Sequence, residues 1–371
     1  MFIDEMNGCM LKNIHIKLAK YLTIFLSLLL ITSKVAHSAE MPNHHFMQNK
    51  VAIFYSDTFL LHDTGAHHPE NADRLKKVIA QLKNKVNLSS ALIWPSFLPA
   101  TRQQLALVHT PQYLQLVEDE TSALVNNSKN NSVVQLSTGD TNISRHTQTV
   151  AMLAVGAGIA AADAVMARRV TSAFAIIRPP GHHATQSRGM GFCVYNNIAV
   201  TARYLQKQHG IKRILIVDFD VHHGNGTQAI FDDDSSVFYF SVHQHPLYPG
   251  TGMPTEKGTG KGLGYTLNVA LPAGAGDVAL LNALQQQLKP AMVSFKPEFI
   301  LVSAGFDAHN NDPLGGLKYS DAGYAQVATE LSAIANQSAA GRMVYMLEGG
   351  YSADNIANAV NGIVEVLVNK R

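Results

Sequence analysis

Asp218-Phe219-Asp220-Val221-His222-His223-Gly224-Asn225-Gly226-Thr227 crowds two acids, two histidines and an amide into ten residues. It follows Arg213-Ile214-Leu215-Ile216-Val217, an apolar, β-branched run that reads as a buried strand. Unpaired charge beside such a run is costly, so an idle solvated loop is a poor explanation. Strand side chains two positions apart share a face. If the extended geometry continues, Asp218, Asp220 and His222 line up on one side. Two carboxylates and an imidazole are a start on a divalent-metal site.

Three further strand-like runs end in reactive residues. Ala173-Phe174-Ala175-Ile176-Ile177 leads into Arg178-Pro179-Pro180-Gly181-His182-His183, where the prolines and glycine force a turn. The histidine pair there suits proton transfer near neutral pH. Leu301-Val302-Ser303-Ala304-Gly305-Phe306 ends at Asp307, a natural third metal ligand. Three protein ligands leave a position open, as catalytic zinc sites require. Met343-Val344-Tyr345-Met346 precedes Leu347-Glu348-Gly349-Gly350-Tyr351, whose glycines allow close backbone approach and project a phenol.

Together these segments resemble the histone deacetylase family, more closely its class II branch and the related bacterial amidohydrolases. The resemblance spans roughly 51–368. It is carried by Arg-Pro-Pro-Gly-His-His-Ala (178–184), Gly-Phe-Cys (191–193), Asp-x-Asp-Val-His-His-Gly-Asn-Gly-Thr (218–227), Ser-Ala-Gly-Phe-Asp-Ala (303–308), Asp-Pro-Leu-Gly-Gly (312–316) and Glu-Gly-Gly-Tyr (348–351). His67-His68-Pro69-Glu70 with Arg74 is similar to the family's N-terminal segment. The resemblance implies hydrolysis of an acetylated amine, foremost an acetyl-lysine side chain in a peptide or protein, with a small acetylated amine such as a polyamine as the alternative. A catalytically silent acyl-lysine binding protein is a third reading, but none of the ligands or the tyrosine is missing.

The resemblance also implies roles. Zinc would sit on Asp220, His222 and Asp307, and Fe(II) accepts the same ligands. His182 would pair with Asp218 and His183 with Asn225, so that unlike partners split the two pKa values. Tyr351 would donate to the developing oxyanion. Phe192 and Tyr248 would wall a tunnel for the lysine stem, Asp140 would hold a substrate N–H, Gly181 would contact substrate, and Arg74 would line an acetate pocket. Leu314 stands where polyamine-selective relatives carry glutamate, which favours acyl-lysine. Gln244, His245 and Pro246 form the adjoining loop. Asp218, Asp220, His222, Ser241 and Val242 fit the family's inner potassium site.

The surrounding chain must position these residues. At 371 residues and 46% hydrophobic it can fill one large core, and 15% charge argues against disorder. Lys12, Lys17 and Lys20 precede the apolar run Tyr21–Ile31, short for a membrane span and suited to a signal peptide ending at Ser38. Residues 1–38 are thus expected to be a signal peptide, 39–50 a flexible lead-in and 51–371 the catalytic domain. Export to the periplasm or medium follows, with no stable membrane span after cleavage. Removing the leader's four lysines and two acids from 29 basic and 27 acidic residues leaves 25 of each. That balance gives no basis for nucleic-acid binding. Cys9 goes with the leader, so Cys193 has no disulfide partner within the mature chain. Asn225-Gly226-Thr227 is a glycosylation sequon inside the proposed site, which favours a bacterial source over a eukaryotic secretory one. A homo-oligomer is left open.

Strands are expected at 51–55, 173–177, 213–217, 237–241, 265–269, 299–303 and 343–347. Helices are expected at Glu70–Lys83, Thr147–Met166, 197–208, 227–231, 278–295, 321–335 and 354–368, and a loop over 126–144. This alternation implies a single-domain, three-layer α/β/α fold, with a mainly parallel sheet between helices and the site at the strands' carboxyl ends.

Overall fold

The computed structural model describes residues 50–126 and 132–369. The expected leader and nearly all of the lead-in lie outside them. In chain order the strands are β1 (Val51–Phe54), β2 (Leu92–Ile93), β3 (Val134–Gln135), β4 (Asn142–Ile143), β5 (Ser172–Ala175), β6 (Ile214–Asp218), β7 (Val237–Gln244), β8 (Thr266–Leu271), β9 (Phe299–Ala304) and β10 (Met343–Leu347). Eight of them form one sheet, ordered β2-β1-β5-β10-β9-β6-β7-β8. Every neighbouring pair in it is parallel. β3 and β4 form a small antiparallel pair.

Parallel strands need crossovers, and helices covering both faces bury their strands completely. This explains why β5, β6, β9 and β10 are buried at every residue and apolar but for Ser172, Asp218 and Ser303. Helices Thr147–Met166 and Asn197–His209 pack together against β1, β5, β9 and β10. Helices Asp73–Asn84, Asp321–Ser338 and Ala353–Val368 form the opposing layer. Thr147–Met166 is long and apolar enough to cross a membrane, but two thirds of its most apolar window is buried, as befits a core helix. It lies so close to β10 and helix Asn197–His209 that a Cβ on Gly158 would meet the Met346 side chain at 2.3 Å and Thr201 Oγ1 at 2.6 Å.

The sequence expectations miss in several places, and the loop expected over 126–144 carries the short β3–β4 pair. The first helix begins at Asp73 and not at Glu70. Glu70 is drawn into buried ion pairs with Arg178 and Arg74, and Asn71 Oδ1 accepts the Asp73 N–H at 3.0 Å, which sets a turn ahead of the helix. Helix Pro111–Asn126 was not foreseen, although Pro111 follows Thr110 and Tyr113, Leu114, Val117 and Thr121 make its buried stripe. The helical stretch expected at 278–295 runs from Asp277 to Phe295 with a π-helical middle, Ala283–Leu288.

Candidate active site and metal centre

β5, β10, β9 and β6 are consecutive in the sheet, so their carboxyl ends set four loops side by side. One correction follows at once. β6 stops at Asp218, so strand alternation does not carry Asp218, Asp220 and His222 onto one face. Asp218 Oδ2 instead lies 3.0 Å from His182 Nδ1 and accepts the Tyr239 hydroxyl at 3.0 Å. Its Oδ1 accepts the Asp220 N–H at 3.2 Å, which helps bend the chain away. Beyond the bend, Asp220, His222 and Asp307 bring one ligand atom each to within 4.8 Å of one another.

Both carboxylates are held before any ion arrives. Asp220 Oδ2 accepts the Gly349 N–H at 2.8 Å and Asp307 Oδ1 the Val221 N–H at 2.8 Å. Their remaining oxygens, Asp220 Oδ1 and Asp307 Oδ2, each lie 3.1 Å from His222 Nδ1. Gly305 and Gly349 provide the space, since a Cβ on either would come within 2.1 Å of a carboxylate oxygen. Burial, and next the Asp220 charge, push Asp307 up to about 7. Burial alone would lower His222, but its hydrogen bonds and the charges of Asp220 and Asp307 carry it up to about 10. Two buried carboxylates that draw a proton onto the imidazole make a negative site in which a divalent cation would take that proton's place on His222. Two carboxylates and an imidazole are also a donor set that Zn²⁺ and Fe²⁺ accept, so the residues fit such an ion.

The histidine pair is asymmetric. His183 Nδ1 lies 2.8 Å from Asn225 Oδ1, and the two rings are 4.0 Å apart. Burial opposes charge on His182, but Asp218 and then Asp220 outweigh it and push its pKa up to about 10. Burial, reinforced by the charge on His182 and then His222, holds His183 well below the ordinary range. Only His183 of the two lines the pocket. The Tyr351 phenol is raised well above its ordinary pKa, chiefly by burial, and is a neutral donor.

Arg74 fixes the loop that carries Tyr351. It donates to the Gly350 carbonyl at 2.5 Å and the Glu348 carbonyl at 2.5 Å, and its guanidinium lies 5.2 Å from the Tyr351 ring centre. Glu70 balances its charge at 2.8 Å and also takes two bonds from Arg178, at 2.7 and 2.8 Å. Arg74 is therefore committed to bracing the loop. Glu348 closes the frame, accepting the Gly181 N–H at 2.6 Å, the His182 N–H at 3.2 Å and the Ser303 hydroxyl at 2.9 Å. A second group of metal-type donors, His182, Cys193 and Glu348, exists among the described residues. Glu348 already spends both oxygens on those three donors, so this group is a hydrogen-bonded frame.

A cavity of about 270 Å³ opens above the cluster, lined by Asp140, His183, Gly191, Phe192, His222, Leu247, Tyr248, Leu314 and Tyr351. Phe192 lies 6.0 Å from the Tyr351 ring and Tyr248 lies 5.1 Å from that of His183. Asp140 Oδ1 accepts the Gly191 N–H at 2.7 Å, steadying the left-handed Gly191-Phe192 step (φ 56° and 67°). Such a φ at a non-glycine residue is strained and concentrates at functional sites. Gly181 is a correction: it does not line the cavity, and its N–H serves Glu348. Ser241 is in register with Asp218, and its hydroxyl lies 2.9 Å from His243 Nδ1; Val242 is buried. Leu247 stands outside the sequence motifs, while Gly191, Glu348 and Asp312 stand inside them with no role assigned by sequence; Asp312 accepts the Tyr351 N–H at 2.7 Å. For Glu70 and Arg74 the i, i+4 spacing of opposite charges was an available signal.

Comparison with known proteins agrees with this geometry. Residues 68–367 match the model of the histone deacetylase domain. A probable deacetylase of Archaeoglobus fulgidus is 40% identical over 317 residues, covering 85% of each chain. Histone deacetylase 14, chloroplastic, of Arabidopsis thaliana is 39% identical over 318 residues, covering 83% of this chain and 74% of that one. The crystal structure of the HDA15 HD domain superposes with a TM-score of 0.79 at 34% identity, covering 87% of this chain and 90% of that one. These relatives are archaeal and plant proteins, and the bacterial source expected from the sequence finds no support among them. With the family's domain matched over most of the chain and the same sheet carrying its motifs, this protein is a member of the histone deacetylase family.

Proposed function

We propose that the protein is a zinc-dependent amidohydrolase that removes acetyl groups from lysine side chains. The observation that carries this reading is the convergence of Asp220, His222 and Asp307 beneath a pocket that His183 and Tyr351 also line. A divalent ion held there would acidify water and polarise an amide carbonyl. The chain's own residues supply the rest. His183, neutral and with Nδ1 engaged by Asn225, leaves Nε2 to accept the proton of attacking water and pass it to the departing amine. His182, cationic beside Asp218, offsets negative charge as it develops. Tyr351 donates its O–H to the carbonyl oxygen, a contact typically worth roughly 2.7–4 kcal/mol in the transition state.

Phe192 and Tyr248 suit the apolar stem of lysine, and Asp140 stands at the rim where a substrate N–H can reach it. Leu314 at that rim offers no charge to a distal ammonium, which favours acyl-lysine peptides over acetylpolyamines. Potassium near Asp218, Asp220, His222, Ser241 and Val242, and export with cleavage after Ser38, are also part of the proposal. Mass spectrometry finding Ala39 at the mature N-terminus would support the export reading, and an intact leader on the active protein would oppose it.

The deciding experiment loads the protein with zinc, determines metal per chain, and assays acetyl-lysine peptide beside acetylputrescine, with Tyr351→Phe as control. One zinc per chain and peptide turnover that falls roughly 10²–10³-fold in the variant is the expected result. Preference for acetylputrescine would overturn the substrate assignment. Bound zinc with no turnover of either substrate would favour the silent binding protein.

A further inference from the structure

The carboxylate of Asp312 holds two parts of the pocket at once. It is 6% exposed. Its Oδ1 accepts the Leu314 N–H at 3.0 Å, and its Oδ2 accepts the Tyr351 N–H at 2.7 Å across 39 residues of sequence. Leu314 is at the mouth and 36% exposed, while Tyr351 lines the same cavity. They follow different strands, β9 and β10. One buried side chain thus ties the rim to the backbone of the oxyanion donor.

The loop's other brace leads elsewhere. Arg74 grips the Glu348 and Gly350 carbonyls, but it is anchored through Glu70 to Arg178 in the core. Between the two braces Gly350 adopts φ +112°, where a Cβ would meet Phe306 and Ile356 at 2.9 Å. The carbonyl side of the loop is therefore fixed to the core, and the Tyr351 amide is fixed to the rim turn.

We propose that Asp312 is a positioning residue that couples occupancy of the rim at Leu314 to the placement of the Tyr351 hydroxyl. This rests on the deacylase reading above. Binding energy from remote parts of a substrate raises kcat only when it acts on groups that meet the transition state. A peptide seated against Leu314 steadies the 312–314 turn and, through Asp312, the phenol. A short acyl-amine that does not reach Leu314 gains no such effect. Peptide length should accordingly appear in kcat as well as in KM.

The test compares the zinc-loaded full chain with Asp312→Asn, Asp312→Ala, Tyr351→Phe and the Asp312→Asn/Tyr351→Phe pair. Substrates are an acetyl-lysine peptide and a short acetyl-lysine amide, and backbone amide exchange is followed on the same proteins. Asp312→Asn should lower kcat on the peptide by about 10–100-fold, the size usual when an orienting partner is lost. KM and metal content should hold, and the peptide's kcat advantage over the short amide should shrink. Asp312→Ala should lose more, and the Asn change should cost nothing further once the Tyr351 hydroxyl is gone. Amides at 351–353 and at Leu314 should exchange faster. Additive kcat losses in the double variant, or unchanged exchange at Tyr351, would overturn the coupling. A parent protein inactive on both substrates would defeat the deacylase reading by itself, and the exchange data would still decide whether Asp312 holds Tyr351.

Discussion

The floor of the pocket and its rim are built differently. At the floor, Asp218, Asp220, Asp307 and Glu348 are 0% exposed, and each oxygen is assigned a donor or faces His222. Neighbouring strands set their spacing. At the rim, Tyr248 and Leu314 are 37% and 36% exposed and come from loops far apart in sequence. Charges buried this deeply must be paired, so the floor tolerates little change in chemistry. The rim's side chains make apolar contacts with few obligatory partners, so they can vary in substrate preference as long as the backbone bond from Leu314 to Asp312 is kept. Floor substitutions should therefore abolish or cripple activity, and rim substitutions should redistribute it.

The largest effect should come from Asp220→Ala. It removes a ligand and leaves His222 and Asp307 facing each other without the second carboxylate. Metal content should fall from one per chain toward zero. Activity should drop by at least ~10³-fold, because several kcal/mol of charge stabilisation go with the ion. Full metal content with near-normal turnover would show that the ion binds elsewhere and would erase the distinction between floor and rim.

This contrast also explains what could be read in advance. The four strand-end motifs were legible because buried parallel strands are continuous apolar runs, and the acid or histidine that ends each run stands out. Helix Thr147–Met166 appeared where expected for the same reason. The pairing of Asp218 with His182 was legible from the motifs, whereas strand alternation alone misplaces Asp218, because it takes no account of where β6 stops or of the Tyr239 hydroxyl across the site. Gly181 stands in its motif without lining the cavity, because a motif records which residues recur together and not which of them face it. Asp312, Glu348 and the Glu70–Arg178 pair act over long sequence separations, so no local period announces them.

Acid should test the brace behind the floor. His62 lies beside Glu70, 3.8 Å away, and its Nδ1 is 2.9 Å from Thr147 Oγ1. Burial, aided by the Arg178 charge, holds its pKa down to about 3. Because the folded value lies below the unfolded value of about 6.5, the unfolded chain binds the extra proton. Stability should therefore fall as pH drops from about 6.5 toward 3, by at most ~1.4 kcal/mol per pH unit from this group. Glu70 works in the other direction of shift. Its pKa is lowered despite burial, first by Arg178, so its contribution persists down to about pH 4.3 and is lost only below that. Urea unfolding between pH 6.5 and 4.5 should give a shallower pH slope for His62→Gln than for the parent. Equal slopes would mean that His62 is not held neutral and that acid does not reach the brace through it.

The smallest effect, and the sharpest probe of the rim, should come from Leu314→Glu. The substitution puts a carboxylate at the mouth, above a floor that it does not touch. Exposed ion pairs are worth roughly 0–1 kcal/mol, so kcat/KM for acetylputrescine relative to acetyl-lysine peptide should rise by no more than ~5-fold. The gain should fade as salt screens the new charge. Because Leu314 joins Asp312 through its backbone N–H alone, exchanging its side chain leaves that hydrogen bond in place, and metal content should remain that of the parent. A collapse of turnover on both substrates would mean that the Leu314 side chain itself supports Tyr351, and rim and floor would then have to be treated as one unit. An unchanged ratio at low salt would place the distal ammonium out of reach of position 314, and substrate preference would have to be sought in Asp140 or Tyr248.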